Sequence, residues 1–130
     1  MVPAGYVWLV SPLVAPILQR ALDRAHERFT CADVFDRCAD GQMQLWLGGL
    51  PLDGVAVTEI VVYPRKKEGR IVFGAGSLER GQAGLDTVLG WMRQEGCSAV
   101  EIIGRPGWER ALPGFAPDAV VLRREFERMP

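Results

Sequence analysis

Chemistry in this chain has three places to sit. The first is the stretch GAGSLERGQAG, where Gly74, Gly76, Arg80, Gly81, Gln82 and Gly84 surround the expected start of a helix. Small residues and one cation at a helix N-terminus suit an anion or a cofactor phosphate, because backbone N–H groups and the helix dipole converge there. The second is a pair of carboxylates set among apolar and β-branched neighbours: Glu59 in VAVTEIVVYP and Glu101 in SAVEIIG. A carboxylate desolvated on a sheet has a raised pKa and can take a proton from an ammonium substrate, so Glu59 is the candidate general base. The third is Arg105, Trp108 and Arg110 in RPGWERALPGF, a contact surface of the kind that anchors protein partners.

Each has a plainer reading. The glycines can relieve a strand end and precede a helix cap, since a degenerate glycine loop is a weak motif. Either glutamate can lie on a solvated face, and Trp108 can be core with Arg105 and Glu109 as a local ion pair. His26 is the only histidine, and cysteines at 31, 38 and 97 give no metal spacing. Arg65, Lys66 and Lys67 make a basic turn that serves solubility or an acidic partner.

The elements that must position these residues follow from periodicity. Residues 1–12, broken by proline and glycine, read as an edge strand or a packed arm. Apolar residues recur at helical spacing from Leu13 to Phe29, with Pro16 in the first turn and His26 on the polar side. Thr30 and Asp33 form a capping-box pattern for a short helix that buries Val34, Phe35 and Cys38 and stops at Gly41. QMQLWLG alternates with Met43, Leu45 and Leu47 inward and Gln42, Gln44 and Trp46 outward. VAVTEIVVYP and RIVFGAG, joined by a charged turn, make an antiparallel hairpin. A helix from about Gln82 to Glu95 follows, with Leu85, Val88, Leu89 and Met92 as its buried face and Gly96 as its cap. It crosses over to SAVEIIG, which the handedness rule places parallel to RIVFGAG. A short helix over RPGWERALPGF and a last strand, AVVLRREF, complete the order α-α-β-β-β-α-β-α-β. This is a single α+β domain over residues 1–130 with one mixed sheet.

Composition sets the outer bounds. The chain has 130 residues, 48% hydrophobic and 24% charged, with a formal net charge of −1, so no bulk attraction to nucleic acid is expected. Three cysteines, an odd number, favour free thiols in a reducing compartment. The apolar start is broken by Ser11, Pro12 and Pro16, too short to span a membrane and without the basic leader of an export signal. A cytoplasmic location is expected.

The element order resembles the GNAT fold of N-acetyltransferases, and GWERALPGF resembles that family's ending of a short helix running into a Gly-Phe pair, here Gly114 and Phe115. VTEIVVYPRKKEGRIVFGAG with VEIIGRPGWERALPGF is similar, more narrowly, to small tailed-phage and prophage proteins of acetyltransferase-like type. The GNAT resemblance implies a coenzyme A pyrophosphate loop of the form Gln/Arg-x-x-Gly-x-Gly/Ala. Here Arg80 is followed three residues later by Ala83, off that spacing, and Arg110 stands where the family often has a general-acid tyrosine. Two readings follow. In the first, the chain is a phage-type, catalytically degenerate relative that binds another protein, as a virion component or host-directed factor. It needs no cofactor, membrane or nucleic acid, and is compatible with an oligomer. The alternative is an acyl-CoA-dependent N-acyltransferase that takes acetyl-CoA, with a backbone N–H near Gly74–Gly76 holding the thioester carbonyl and Glu59 or a water as base.

Overall fold

The structure is a computed structural model that describes residues 1–49, 51–76, 78–103 and 112–127; of residues 78–83 it describes the backbone alone. After a 3₁₀ turn over Ala4–Tyr6 come α1 (Val7–Leu22), α2 (Cys31–Ala39), β1 (Gln44–Gly48), β2 (Gly54–Val62), β3 (Lys67–Ala75), α3 (Leu78–Gln94) and β4 (Ala99–Ile102). The four strands form one sheet in the order β1-β2-β3-β4. β1, β2 and β3 pair antiparallel in succession, and β4 joins β3 parallel, with α3 as the crossover. The mixed α+β sheet expected from the sequence is therefore present, including the parallel pairing.

Both faces of the sheet are covered. Val7, Val14, Leu18 and Leu22 of α1 and Val34, Phe35 and Cys38 of α2 pack with Leu45, Val55, Val57 and Phe73. On the other face, Val88 and Met92 of α3 enclose Trp46 with Ile71 and Val100 around them. Two covered faces explain why simple alternation misplaces β1. Leu45 goes to one cluster and Trp46 to the other, so Trp46 is buried, contrary to expectation, while Leu47 at the strand end is exposed. Burial of Trp46 is made affordable by Thr58, wholly buried on β2. Its hydroxyl accepts from Trp46 Nε1 at 2.9 Å and donates to Gln44 Oε1 at 2.9 Å. On α3 Val88 and Met92 are buried as expected, but Leu85 and Leu89 are only half-buried.

α1 begins at Val7, six residues before the expected start, and runs through both Pro12 and Pro16. Proline at position 12 cannot donate to the Trp8 carbonyl four residues back. Ser11 Oγ donates to that carbonyl instead, at 2.8 Å, and satisfies it within the helix. The N-terminal arm meets the sheet where Val2 bridges Leu45, and Leu13, expected inward, is exposed. His26 lies beyond α1, in the turn that leads to α2. The Thr30–Asp33 capping box is formed in both directions. Gly41 (φ +79°) follows α2, and Gly96 (φ +89°) ends the turn after α3, as expected.

The segment AVVLRREF forms no strand. Val120, Val121, Leu122 and Phe126 are exposed, and Arg123 Nη2 pairs with Glu125 Oε1 two residues on, at 2.9 Å. β-branched composition favours a strand only where a paired, half-buried surface receives it. Of the short helix expected over residues 105–115, residues 105–111 lie outside the described residues, and residues 112–115 are turn and irregular chain.

Candidate functional site

β3 is the strand on which the site is built. Val57 faces Phe73 while Thr58 faces Ile71, so Val72 is the extra residue of a β-bulge. Pairing with β4 covers Glu68 to Ile71 and stops at the Ile71–Ile102 pair. From Val72 to Ala75, therefore, β3 has β2 on one side and no β4 partner on the other among the described residues. Gly76 (φ +124°) then turns the chain, and α3 starts at Leu78. A parted strand edge thus adjoins a helix N-terminus whose first amides have no acceptor within the helix.

The sequence expectation of a loop running to Gly84 is corrected here. Arg80, Gly81, Gln82 and Gly84 belong to the first turns of α3, not to a loop, and the helix starts four residues before Gln82. Gly74 and Gly76 stand as expected at the end of β3 and just past it. A side chain at Gly74 would meet nothing within 4 Å, whereas a Cβ at Gly76 would sit 2.6 Å from the Asp53 carbonyl oxygen and 2.7 Å from Gly54 Cα. Gly74 borders open space, and Gly76 is a packing requirement. Arg105, Trp108 and Arg110 lie outside the described residues.

One turn of strand before the parting, three neighbouring strands contribute a row of charges. Register places Glu59 opposite Arg70 and Arg70 opposite Glu101. Arg70 Nη1 is 3.2 Å from Glu59 Oε1, its Nε is 3.3 Å from Glu101 Oε1, and its Nη2 reaches the Tyr63 hydroxyl at 3.5 Å. One guanidinium between two carboxylates leaves the row formally one negative charge in excess. Glu59 is two residues on from Val57, so the row faces the α1–α2 side of the sheet. Arg70 and Tyr63 were not picked out from the sequence as site residues. Cross-strand register brings Arg70 to Glu59, and Tyr63, just past the end of β2, accepts from Arg70. The basic turn is engaged locally: Lys66 pairs with Glu68 at 3.0 Å, and Lys67 Nζ donates to the Glu95 carbonyl at 2.6 Å.

On that same side a groove of about 380 Å³ is lined by Arg28, Phe29, Asp33, Asp36 and Arg37. The α1–α2 connection builds it. His26 (φ 58°) and Glu27 (φ 57°) are both left-handed without being glycine, a cost of roughly 1–2 kcal/mol each. They turn the chain so that Phe29 packs edge-on against Phe73 of the parted stretch, ring centroids 5.7 Å apart. The Arg37 guanidinium lies over the outer face of Phe29, 4.8 Å from its centroid. Asp33 is held well ionised: hydrogen bonds from the backbone and side chain of Thr30, and then Arg37, lower its pKa. Burial, by contrast, pushes the Cys38 thiol up to about 11, which marks it as an inert core group. Among the described residues no cluster of potential metal ligands occurs, and no helix is long and apolar enough to cross a membrane.

No family model and no curated protein sequence matches this chain. Solved structures do. An aminoglycoside acetyltransferase from an uncultured soil metagenomic sample, in complex with sisomicin, superposes with a TM-score of 0.69 at 11% identity, over 98% of this chain and 93% of that one. A ribosomal-protein-alanine N-acetyltransferase from Brucella melitensis biovar Abortus 2308 gives 0.61 at 14% identity, over 89% and 93%. An acetyltransferase from Trypanosoma brucei gives 0.56 at 19% identity, over 74% and 78%. At these identities the likeness establishes the fold, which is that of the GNAT acetyltransferases. It does not by itself carry the activity across.

Proposed function

We propose that the chain is an acyl-CoA-dependent N-acyltransferase. The observation that carries this reading is that, among the described residues, β3–β4 pairing ends at Ile71–Ile102 while β3 runs on to Ala75, just before α3. The residues present fit an acyl-CoA. The backbone of Phe73–Ala75 offers donors and acceptors along an edge that β4 does not use, and Gly74 keeps side-chain volume out of the space beside it. Amides in the first turn of α3, through Gly81, suit the pyrophosphate. When bound, acetyl-CoA supplies an activated acyl group as a thioester. The chain's own part is to orient that carbonyl with an N–H near Gly74–Gly76, seat an amine on the α1–α2 side, and accept its proton. Glu59 is assigned that proton, and Arg70 fixes its carboxylate while sharing its charge with Glu101.

The reading as a degenerate, protein-binding phage protein rests on the spacing after Arg80 and on Arg110 standing where the family often has a tyrosine. Its neighbours of known structure are acetyltransferases and lend a virion or host-directed role no support. The off-pattern spacing also weighs less once the helix starts at Leu78, because the donors in question are backbone amides. Thermal melting with acetyl-CoA is the test. A ligand at ~100 times its dissociation constant adds ~2.7 kcal/mol, a readily measured rise in melting temperature. The rise should be accompanied by release of free coenzyme A thiol when a suitable amine is added. No rise at millimolar acetyl-CoA would overturn the reading and restore the degenerate one.

A further inference from the structure

The groove at the α1–α2 connection carries both signs of charge in a fixed arrangement. Arg28 and Arg37 bring two guanidinium groups, and Asp33 and Asp36 bring two carboxylates, all around the ring of Phe29. Arg37 is oriented by its stack on that ring, and Asp33 by the capping box, so neither side chain has to be ordered by a ligand. The hydrogen bonds of Asp33 all go to Thr30, and those of the α2 backbone at Arg37 go to Gln42 and Met43. Among the described residues no hydrogen bond or ion pair joins Arg28 or Arg37 to Asp33 or Asp36, so the guanidinium donors at the groove are not spent on its own carboxylates.

The surroundings of the groove add two constraints. Its four charges sum to zero, which disfavours a polycation or polyanion and suits a molecule that is itself dipolar. Its Phe29 wall packs edge-on against Phe73, a residue of the stretch where an acyl donor would lie, which puts the groove beside the proposed reaction centre. The volume, about 380 Å³, admits a small molecule.

We infer that the acceptor is a small zwitterion, a free α-amino acid, whose carboxylate is bound by Arg28 and Arg37 and whose ammonium is bound by Asp33 and Asp36. This inference rests on the acyltransferase reading and narrows its substrate class. Guanidinium groups bind carboxylates through paired donors, which an uncharged amide or a plain amine cannot reproduce.

The test separates binding from transfer. Glycine, leucine and lysine are compared with methylamine, isoamylamine and cadaverine, their decarboxylated counterparts, and with glycinamide as a stand-in for a peptide N-terminus. At least one amino acid should bind by calorimetry without acetyl-CoA present. It should also be acetylated with kcat/KM at least about tenfold above its partner amine, the low end for a charge-assisted hydrogen bond. R28Q and R37Q should raise the KM for that amino acid about tenfold and change that of the partner amine much less. Equal use of amino acid and amine, glycinamide used as well as glycine, or equal loss for both in the arginine variants would overturn the inference. Amino-acid binding without any transfer would uphold the groove and sink the acyltransferase reading. Transfer to plain amines without amino-acid binding would do the reverse.

Discussion

Gly74 and Gly76 are two residues apart at the end of β3, and the structure assigns them opposite roles that substitution with alanine can separate. At Gly76 the backbone has φ +124°, a region that residues with a Cβ rarely adopt, and strain of this kind costs about 1–3 kcal/mol. The added carbon would also lie 2.6 Å from the Asp53 carbonyl oxygen and 2.7 Å from Gly54 Cα. Both are backbone atoms of the β2 start, and they cannot swing aside as a side-chain tip would. Forcing such a contact in a packed site costs a further ~1–3 kcal/mol. Gly76→Ala should therefore destabilise the protein by roughly 2–6 kcal/mol, seen as a loss of at least about 6 °C in melting temperature by circular dichroism. Gly74→Ala meets nothing within 4 Å and should leave the melting temperature within about 2 °C of the parent. If the space beside Gly74 receives an acyl-CoA, the same methyl should cut the acetyl-CoA-induced rise in melting temperature. A Gly76→Ala protein that melts with the parent would refute the geometry of the β3–α3 turn. A Gly74→Ala protein that keeps the full acetyl-CoA effect would remove Gly74 from the cofactor site.

Other consequences are independent of ligand. Thr58→Val removes the acceptor of the Trp46 indole and should cost ~1–3 kcal/mol in urea titrations, a cost that shrinks in a Trp46→Phe background because no buried donor is then orphaned. Thr30→Ala takes away half of the α2 capping box. It should cost ~1 kcal/mol and let the Asp33 pKa, followed by carboxylate NMR shifts, climb back toward its ordinary value. The Cys38 thiol titrates near 11 in the fold against about 9 when unfolded, so the unfolded chain holds fewer protons between those values. Stability from this group is complete below pH 9 and falls as pH rises through 11, by roughly 3 kcal/mol in all. The slope should be flatter in Cys38→Ala, and an unchanged slope would show that the thiol is not desolvated. Glu59→Gln should lower kcat at neutral pH by ~10²-fold or more with little change in acetyl-CoA affinity, and an unaffected kcat would reassign the proton to water or to Glu101.

What could be read from the sequence was local. The Thr30–Asp33 box, the buried face Val34, Phe35 and Cys38, and Gly96 after α3 each depend on a handful of adjacent residues, and each is found where expected. The parallel pairing of β3 and β4 was legible because a helix crossover leaves little choice. Errors arose where a distant partner decides. Pro12 looked like a breaker because nothing in the spacing says that Ser11 will take over the Trp8 carbonyl. Trp46 looked solvated because alternation assumes one wet face, and α3 covers the second. Glu59 was found as a carboxylate in an apolar strand, but its partner Arg70, which also holds Glu101 and reaches Tyr63, depends on register across three strands. The groove left no signal at all: its walls come from a turn held by two non-glycine residues at positive φ.

The helix start at Leu78 bears on chemistry more than any other of these differences. An anion gripped by backbone amides is recognised by chain geometry, and almost any residue can donate an N–H. Sequence matters at such a site only where a side chain would obstruct the approach or where the backbone must bend. In this chain Gly76 meets the second need, with its positive φ and its backbone neighbours, and Gly74 meets the first, at the edge that β4 leaves. The spacing from Arg80 to Ala83 therefore tests similarity to a motif more than it tests anion binding. The physical requirement is an unpaired strand edge followed closely by a helix N-terminus, and among the described residues the end of β3, Gly76 and the start of α3 supply those parts in that order.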